Sequence, residues 1–412
     1  MGTQQVRSYR TIQNNESKLI ASSLLKEPTR FEKHFERYAA SVVSIIAYGR
    51  RVPSYLDPII TEVIAIMQFA AELNVPGKTF PMLMETFPIL AKFPNWMAPW
   101  KMGLGRRRSG KDFFFALAEE ANEESPNDNF ARQIFDLKEK YDLDDREISA
   151  ISGNLFGAGS DTSSSTLVTM VLAAVMFPDA VTKAQKEIDE VVGSDRSPDF
   201  DDLLNLPYVE AFVKEVFRWR SVAIIGGQPH APIQDDYYNG WFIPKNTWVQ
   251  GNLWYPYPVS VLTLGPYIVT LEIFPTQIDS TLIDISKRIG CHIRTRKVIT
   301  PLVGDDEVCL LWMMLRLVCS GQALAEQGTH ITVARLLWGF NFLKKKDAQG
   351  KEIDIDIFDY TNGLNWRPRP FECIIEPRSE KIAATIGREG EKALEELLPY
   401  NGTTKYFLSI QD

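Results

Sequence analysis

The chain has 412 residues, 45% of them hydrophobic, and a formal net charge of −8. That length and apolar content allow one large core, while the acidic balance excludes a general nucleic-acid binder, because phosphate binding needs a basic surface. The cysteines Cys291, Cys309, Cys319 and Cys373 form no Cys-x-x-Cys pair, so neither a zinc site nor a disulfide framework is indicated and a reducing compartment is the default.

Residues 1–30 are polar and charged, without the apolar stretch of a signal peptide. Up to about residue 220 the pattern is helical. Apolar spacing from Arg30 to Tyr48, closed by Gly49, predicts a helix with a glycine C-cap. Leu56 to Leu73 and Trp96 to Asn122 are further helices, and Arg106, Arg107 and Arg108 read as a solvated helix face. Asp144 to Phe177 is an unusually long helix that starts acidic and stops at Pro178. Its apolar run from Leu167 to Phe177 is too short to span a bilayer. Helices over Pro178 to Val192 and Pro207 to Arg220 follow. From 229 to 252, β-formers alternate with Asn-Gly and Pro-Lys-Asn turns, predicting short strands and a hairpin. Residues 255–312 are apolar and β-prone and fit no clear template. Gln322 to Phe340 is helical again, Phe371 to Glu376 reads as a terminal strand, and the charged tail from Ser379 is expected to pack loosely. The fold class is mainly α with a small β part.

Four segments carry chemistry. Residues 156–166 read F-G-A-G-S-D-T-S-S-S-T in the middle of the long helix, and two glycines, an acid and six hydroxyl residues disfavour helix there. Gly157 and Gly159 let another body approach the backbone. Thr162 can bond an upstream carbonyl and open a local bulge, and Asp161 beside it makes an acid–alcohol pair able to relay protons. A kink at a small-residue packing contact explains the segment equally well. Glu215 and Arg218 stand at i, i+3 and can pair on one helix face. His230 opens the β region. Cys319 precedes an amphipathic helix, whose positive end favours the anionic, metal-ligating form of a thiol; the commoner fate of a lone cysteine is a buried core position.

Taken together, A-G-S-D-T-S at 158–163, E-V-F-R at 215–218 and C-S-G-Q-A-L-A-E at 319–326 resemble, in order and rough spacing, the motifs of the haem-thiolate monooxygenases, the cytochrome P450 family. P-H-A at 229–231, I-P-K-N-T at 243–247 and F-E-C-I-I-E-P-R-S at 371–379 resemble its fungal microsomal members. The similarity covers about 8–254 and 318–378. It implies a mainly α cytochrome P450-like fold with a small β region, a single domain over 1–412 in which 255–317 is atypical and 379–412 is a tail, and a haem cofactor. Cys319 is then the axial iron ligand, His230 contacts a haem propionate, and Arg316 belongs to the cofactor-binding set. Asp161 and Thr162 deliver protons for oxygen activation, and Glu215 with Arg218 holds the haem-binding core together. The implied reaction is hydroxylation or oxidation of a hydrophobic small molecule, in fungal secondary metabolism, with electrons from an NADPH–cytochrome P450 reductase. Members sit on the endoplasmic reticulum membrane.

The chain also departs from the family pattern. Phe-x-x-Gly-x-Arg-x-Cys is replaced by W-M-M-L-R-L-V-C at 312–319: Trp312, Leu315 and Leu317 stand at the Phe, Gly and Arg positions, and Arg316 is one residue displaced. A leucine resists the backbone shape that a glycine permits. Residues 255–312 lack the family's Pro- and Arg-rich stretch, which reads as translated intron or a shifted frame. The pattern is entered partway, so an anchor, the first sheet strands and a propionate-binding helix are expected to be missing. The alternative reading is therefore a truncated or mis-spliced remnant without turnover. An unrelated helical interaction protein explains neither the motifs nor their order.

Overall fold

The computed structural model describes residues 3–73, 87–94, 97, 103–224, 231–238, 241–247, 319–361, 363, 365–402 and 404–406, with the backbone of strands at 261–264 and 267–270. Its helices are α1 (Thr3–Ser8), α2 (Arg10–Lys26), α3 (Phe31–Tyr48), α4 (Pro58–Leu73), α5 (Gly103–Glu123) and α6 (Phe130–Asp136). They continue with α7 (Lys138–Tyr141), α8 (Asp145–Met176), α9 (Pro178–Val191), α10 (Pro207–Trp219), α11 (Gln322–Gly339) and α12 (Glu380–Leu397). Besides short 3-10 turns there are three two-stranded antiparallel sheets among the described residues: β1 (Asp236–Tyr238) with β2 (Trp241–Ile243), β3 (Val261–Leu264) with β4 (Tyr267–Thr270), and β5 (Phe340–Lys344) with β6 (Cys373–Pro377). The long helix, the helices that follow it, the hairpin around Asn-Gly and the terminal strand are where the residue pattern put them. The fold is mainly α.

Local chemistry sets the ends. Asp144 accepts from Glu147 N at 2.8 Å while Glu147 Oε2 accepts from Asp144 N at 2.9 Å, a capping box that starts α8. Pro178 occupies the first turn of α9, and α8 and α9 meet at 104°. Asp57 Oδ1 accepts from Ile59 N at 3.0 Å and Pro58 opens α4. Gly49 ends α3 at φ 66°, where a Cβ would strike Ser125 Oγ, so both backbone and space call for glycine. No single helix among the described residues is long and apolar enough to cross a membrane.

α8 is the axis of the molecule. It packs against α3, α4, α5, α10 and α11. One apolar cluster joins its C-terminal half, from Leu167 to Val175, to α2, α3, α9, α10 and α11; a second joins Phe156 to α3, α4 and α5; Leu155 touches both. The second kind of glue is polar. Glu16 on α2 is completely buried and accepts from Ser41 Oγ at 2.6 Å, Arg37 Nη1 at 2.7 Å and Arg51 Nε at 2.9 Å. Burial pushes its carboxyl up, but the Arg37 and Arg51 charges and the Ser41 bond outweigh that and hold it below the usual range. Arg335 on α11, also buried, donates to Asn14 Oδ1 at 2.8 Å and Ser197 Oγ at 2.9 Å.

The tail is not loose. Ser379 Oγ accepts from Ile382 N at 3.2 Å and begins α12, which buries Ile382, Ile386, Ala393 and Leu397. Those spacings of four, seven and four residues make one apolar face among many charges, and it docks on α2. Gly390 permits the contact: a Cβ there would come within 2.6 Å of Ser22 Cβ. Glu396 accepts from Asn15 Nδ2 at 2.8 Å, and Glu389 accepts from Ser197 N at 3.0 Å. Residues 271–318, most of the stretch expected to be atypical, lie outside the described residues.

Candidate functional site

α8 supplies the first half of the site. Its glycines are seats for neighbouring side chains. A Cβ on Gly153 would stand 2.5 Å from Phe114 Cδ2, on Gly157 2.6 Å from Met67 Sδ, and on Gly159 2.5 Å from Val43 Cγ1. The bodies that approach the glycine pair are therefore α4 and α3. On the remaining side, Ile151, Asn154 and Ala158 are exposed and Asp161 and Thr162 are half-buried. Steps of three and four residues place all five on one face, so an otherwise buried helix carries one open stripe that ends in an acid and an alcohol.

Thr162 Oγ1 donates to Ala158 O at 2.8 Å, the upstream bond the sequence suggests. The expected bulge is absent: α8 runs unbroken from Asp145 to Met176. A carbonyl oxygen has two lone pairs, so it takes the hydroxyl without releasing its helical N–H. Asp161 Oδ2 accepts from Asn365 Nδ2 at 2.6 Å. Asn365 was not singled out from the sequence; T-N-G-L-N-W-R-P marks a turn-rich loop but not the helix it reaches.

The second half is the start of α11. Cys319 is free and exposed, and its carbonyl accepts from Gln322 N at 3.0 Å, so the thiol sits in the turn that opens an 18-residue helix. α11 packs on both α8 and α2. Gln13 on α2 donates to Leu324 O at 2.9 Å, which ties down the first turn after the thiol. The other described cysteine, Cys373, differs in kind: burial, helped by the Glu32 charge, pushes its thiol up to about 12. Of the two described cysteines, Cys373 stays a protonated packing residue and Cys319 is the one exposed to a ligand. Trp312, Leu315, Arg316 and Leu317, directly before Cys319, lie outside the described residues, as does His230.

Glu215 and Arg218 meet on α10. Arg218 Nε donates to Glu215 Oε2 at 2.5 Å and Nη2 donates to Oε1, a bidentate pair. The carboxylate is buried and the Arg218 side chain is 19% exposed, which meets the condition under which this common spacing matters. α10 contacts α8, α9 and α11. The pair thus sits in the frame between the acid–alcohol helix and the thiol-bearing helix.

The donor set suits an iron porphyrin: thiolate sulfur is a haem ligand, and the C-terminal end of the stripe on α8 offers the small Ala158 and the polar Asp161 and Thr162.

Comparison with known proteins agrees over most of the chain. A family model described as cytochrome P450 matches residues 15–257. Cytochrome P450 monooxygenase 113 of Postia placenta is 34% identical over 381 residues, covering 92% of this chain and 71% of the relative. Cytochrome P450 monooxygenase polD of Polytolypa hystricis is 32% identical over 406 residues, covering 97% and 74%. Cytochrome P450 monooxygenase yanC of Aspergillus niger is 31% identical over 392 residues, covering 91% and 69%. Among solved structures, a zebra fish cytochrome P450 with progesterone aligns with a TM-score of 0.59 and 18% identity, covering 92% of this chain and 78% of that one. Because the similarity extends well beyond the short motifs, the chain belongs to the cytochrome P450 family, whose haem cofactor it shares.

Proposed function

We propose that this haem monooxygenase oxidises a hydrophobic small molecule in fungal secondary metabolism, with electrons delivered by an NADPH–cytochrome P450 reductase. The fungal relatives named above support the biological setting, and the open stripe on α8 supports the chemistry. In this reading residues 1–412 are one domain, consistent with Leu155 bridging both apolar clusters.

Cys319 would hold the haem iron through its thiolate, and His230 and Arg316 would contact the rest of the haem. The bound haem supplies the redox centre at which dioxygen is activated. The chain's own residues do the remainder. Asp161 takes a proton from solvent through the open stripe and passes it on, and Thr162, whose hydroxyl is fixed on Ala158 O, orients that transfer. Glu215 and Arg218 hold α10 in register, so that α8 and α11 keep their separation. The single observation that carries this reading is the position of Asp161 and Thr162, polar and half-buried at the end of the open stripe on the largely buried α8.

The test is the spectrum of the reduced protein with carbon monoxide. The wild type gives the red-shifted Soret band of thiolate-ligated haem, Cys319→Ala abolishes it and Cys373→Ala retains it. A band typical of a neutral ligand in the wild type, or equal effects of the two substitutions, sinks the assignment.

A further inference from the structure

We propose that Asn365 is a positioning residue that fixes the Asp161 carboxylate, and that the loop bearing it is a built support for this one contact. The inference deepens the proton-delivery reading of Asp161 and rests on it.

The contact joins residues far apart in sequence. Asn365 Nδ2 donates to Asp161 Oδ2 at 2.6 Å, a short, charge-assisted bond. The loop is closed at its base, where Thr361 N donates to Arg367 O at 2.9 Å and Arg367 N donates to Thr361 Oγ1 at 3.2 Å. Next to Asn365, Trp366 N donates to Val222 O at 2.7 Å, and the Trp366 ring stacks on Tyr360 with centroids 5.9 Å apart and planes 30° apart. Arg367 pairs with Glu36 at 2.9 Å and Glu32 at 3.3 Å, anchoring the loop to α3. With the flanking residues so held, the amide is placed before any ligand binds, and little entropy remains to be lost at the contact.

The chemistry of the amide fixes the role of one oxygen of its partner. An NH2 group donates only, so Oδ2 must present a lone pair. One oxygen of Asp161 is then committed to the loop, which leaves Oδ1 as the atom that takes up a proton and passes it on. Thr162 is fixed by its own bond to Ala158 O. Both members of the acid–alcohol pair are therefore held in place, one by the helix and one by the loop. A leucine at 365 keeps the size and removes the donor. Exchanging the two residues keeps the hydrogen bond but moves the carboxylate off the helix.

Four proteins test this as haem-loaded, full-length chains: wild type, Asn365→Leu, Asp161→Asn and the exchange Asp161→Asn with Asn365→Asp. The first readout is independent of turnover: hydrogen exchange of backbone amides between 359 and 369. The second needs no substrate. With NADPH and reductase, two electrons and two protons reduce dioxygen to peroxide, whereas four of each give two waters. The share of electrons leaving as peroxide, followed against pH, reports proton placement. Asn365→Leu and Asp161→Asn are expected to raise the peroxide share at least about two-fold, since displacing a proton-transferring group by about 1 Å slows transfer up to about a hundred-fold. The exchange variant is expected to restore hydrogen-exchange protection without restoring the wild-type peroxide share. If the exchange restores both, or if Asn365→Leu leaves the share and its pH profile unchanged while Asp161→Asn alters them, Asn365 is only a loop tether. If Asp161→Asn itself leaves the share unchanged, the proton-delivery reading falls and this inference with it.

Discussion

Gly157→Ala and Gly159→Ala, two residues apart on α8, are predicted to change stability in opposite directions. Each substitution removes a glycine from a helix interior, which alone is worth about 1 kcal/mol in favour of alanine. At Gly157 the new Cβ would meet Met67 Sδ at 2.6 Å. That atom is near the end of an unbranched, adaptable side chain that can turn aside for a fraction of a kcal/mol, roughly, so the balance is neutral to favourable. At Gly159 the Cβ would lie 2.5 Å from Val43 Cγ1, where ordinary contact starts near 3.4 Å. Val43 is 5% exposed on α3, and a valine in a helix has essentially one side-chain conformation. The helices must separate instead, and such overpacking costs about 1–3 kcal/mol, more than the propensity gain. Gly159→Ala should therefore lose up to about 2 kcal/mol. Urea unfolding gives both values from midpoints at a shared slope. Val43→Ala provides the decisive background: with the γ-carbons gone, Gly159→Ala should become neutral or stabilising. Equal losses from Gly159→Ala in both backgrounds would refute the packing argument.

The same segment shows what a residue pattern can and cannot reveal. F-G-A-G-S-D-T-S was legible as an anomaly, because glycine, acid and hydroxyls all resist helix, and an anomaly inside a strong helix points to a site. Which face it presents was not legible, because that depends on Val43, Met67 and Phe114 arriving from three other helices. Helices with apolar spacing and clear stops, such as Phe31–Tyr48 and Pro178–Val191, could be located from the chain alone. α2 could not, because it buries Gln13, Asn15, Glu16 and Ser17, polar residues whose partners include Arg37, Ser41, Arg51, Gln327, Arg335 and Glu396 elsewhere in the sequence. α12 failed for the opposite reason: its charged residues outnumber the few apolar ones, and only the spacing of Ile382, Ile386, Ala393 and Leu397 marks the buried face. Asn365 is invisible for a third reason, since a hydrogen bond between a loop and a helix leaves no periodic trace.

Two further perturbations follow from these packing contacts. Glu16→Leu leaves the Arg37 and Arg51 guanidinium groups buried without their shared carboxylate; a loss of about 3–5 kcal/mol is expected in urea unfolding, and a loss below about 1 kcal/mol would mean that water reaches the site. Because the folded Glu16 carboxyl is held below its unfolded value of 4.5, its contribution is present in full above that pH and disappears as pH falls through the folded value, so the variant's deficit should shrink in acid. Ile386→Asp tests the docking of α12. Ile386 is 2% exposed and its Cδ1 lies 3.1 Å from where a Cβ on Gly339 would stand, so a carboxylate there would be buried against the end of α11 without a partner. The helix should release from α2 at a cost of about 3 kcal/mol or more, and trypsin should then cleave at Arg388 and Lys392, which the docked helix protects. Unchanged resistance to trypsin would mean that α12 is not held by its apolar face, and that its polar bonds from Asn15 and Ser197 to Glu396 and Glu389 suffice.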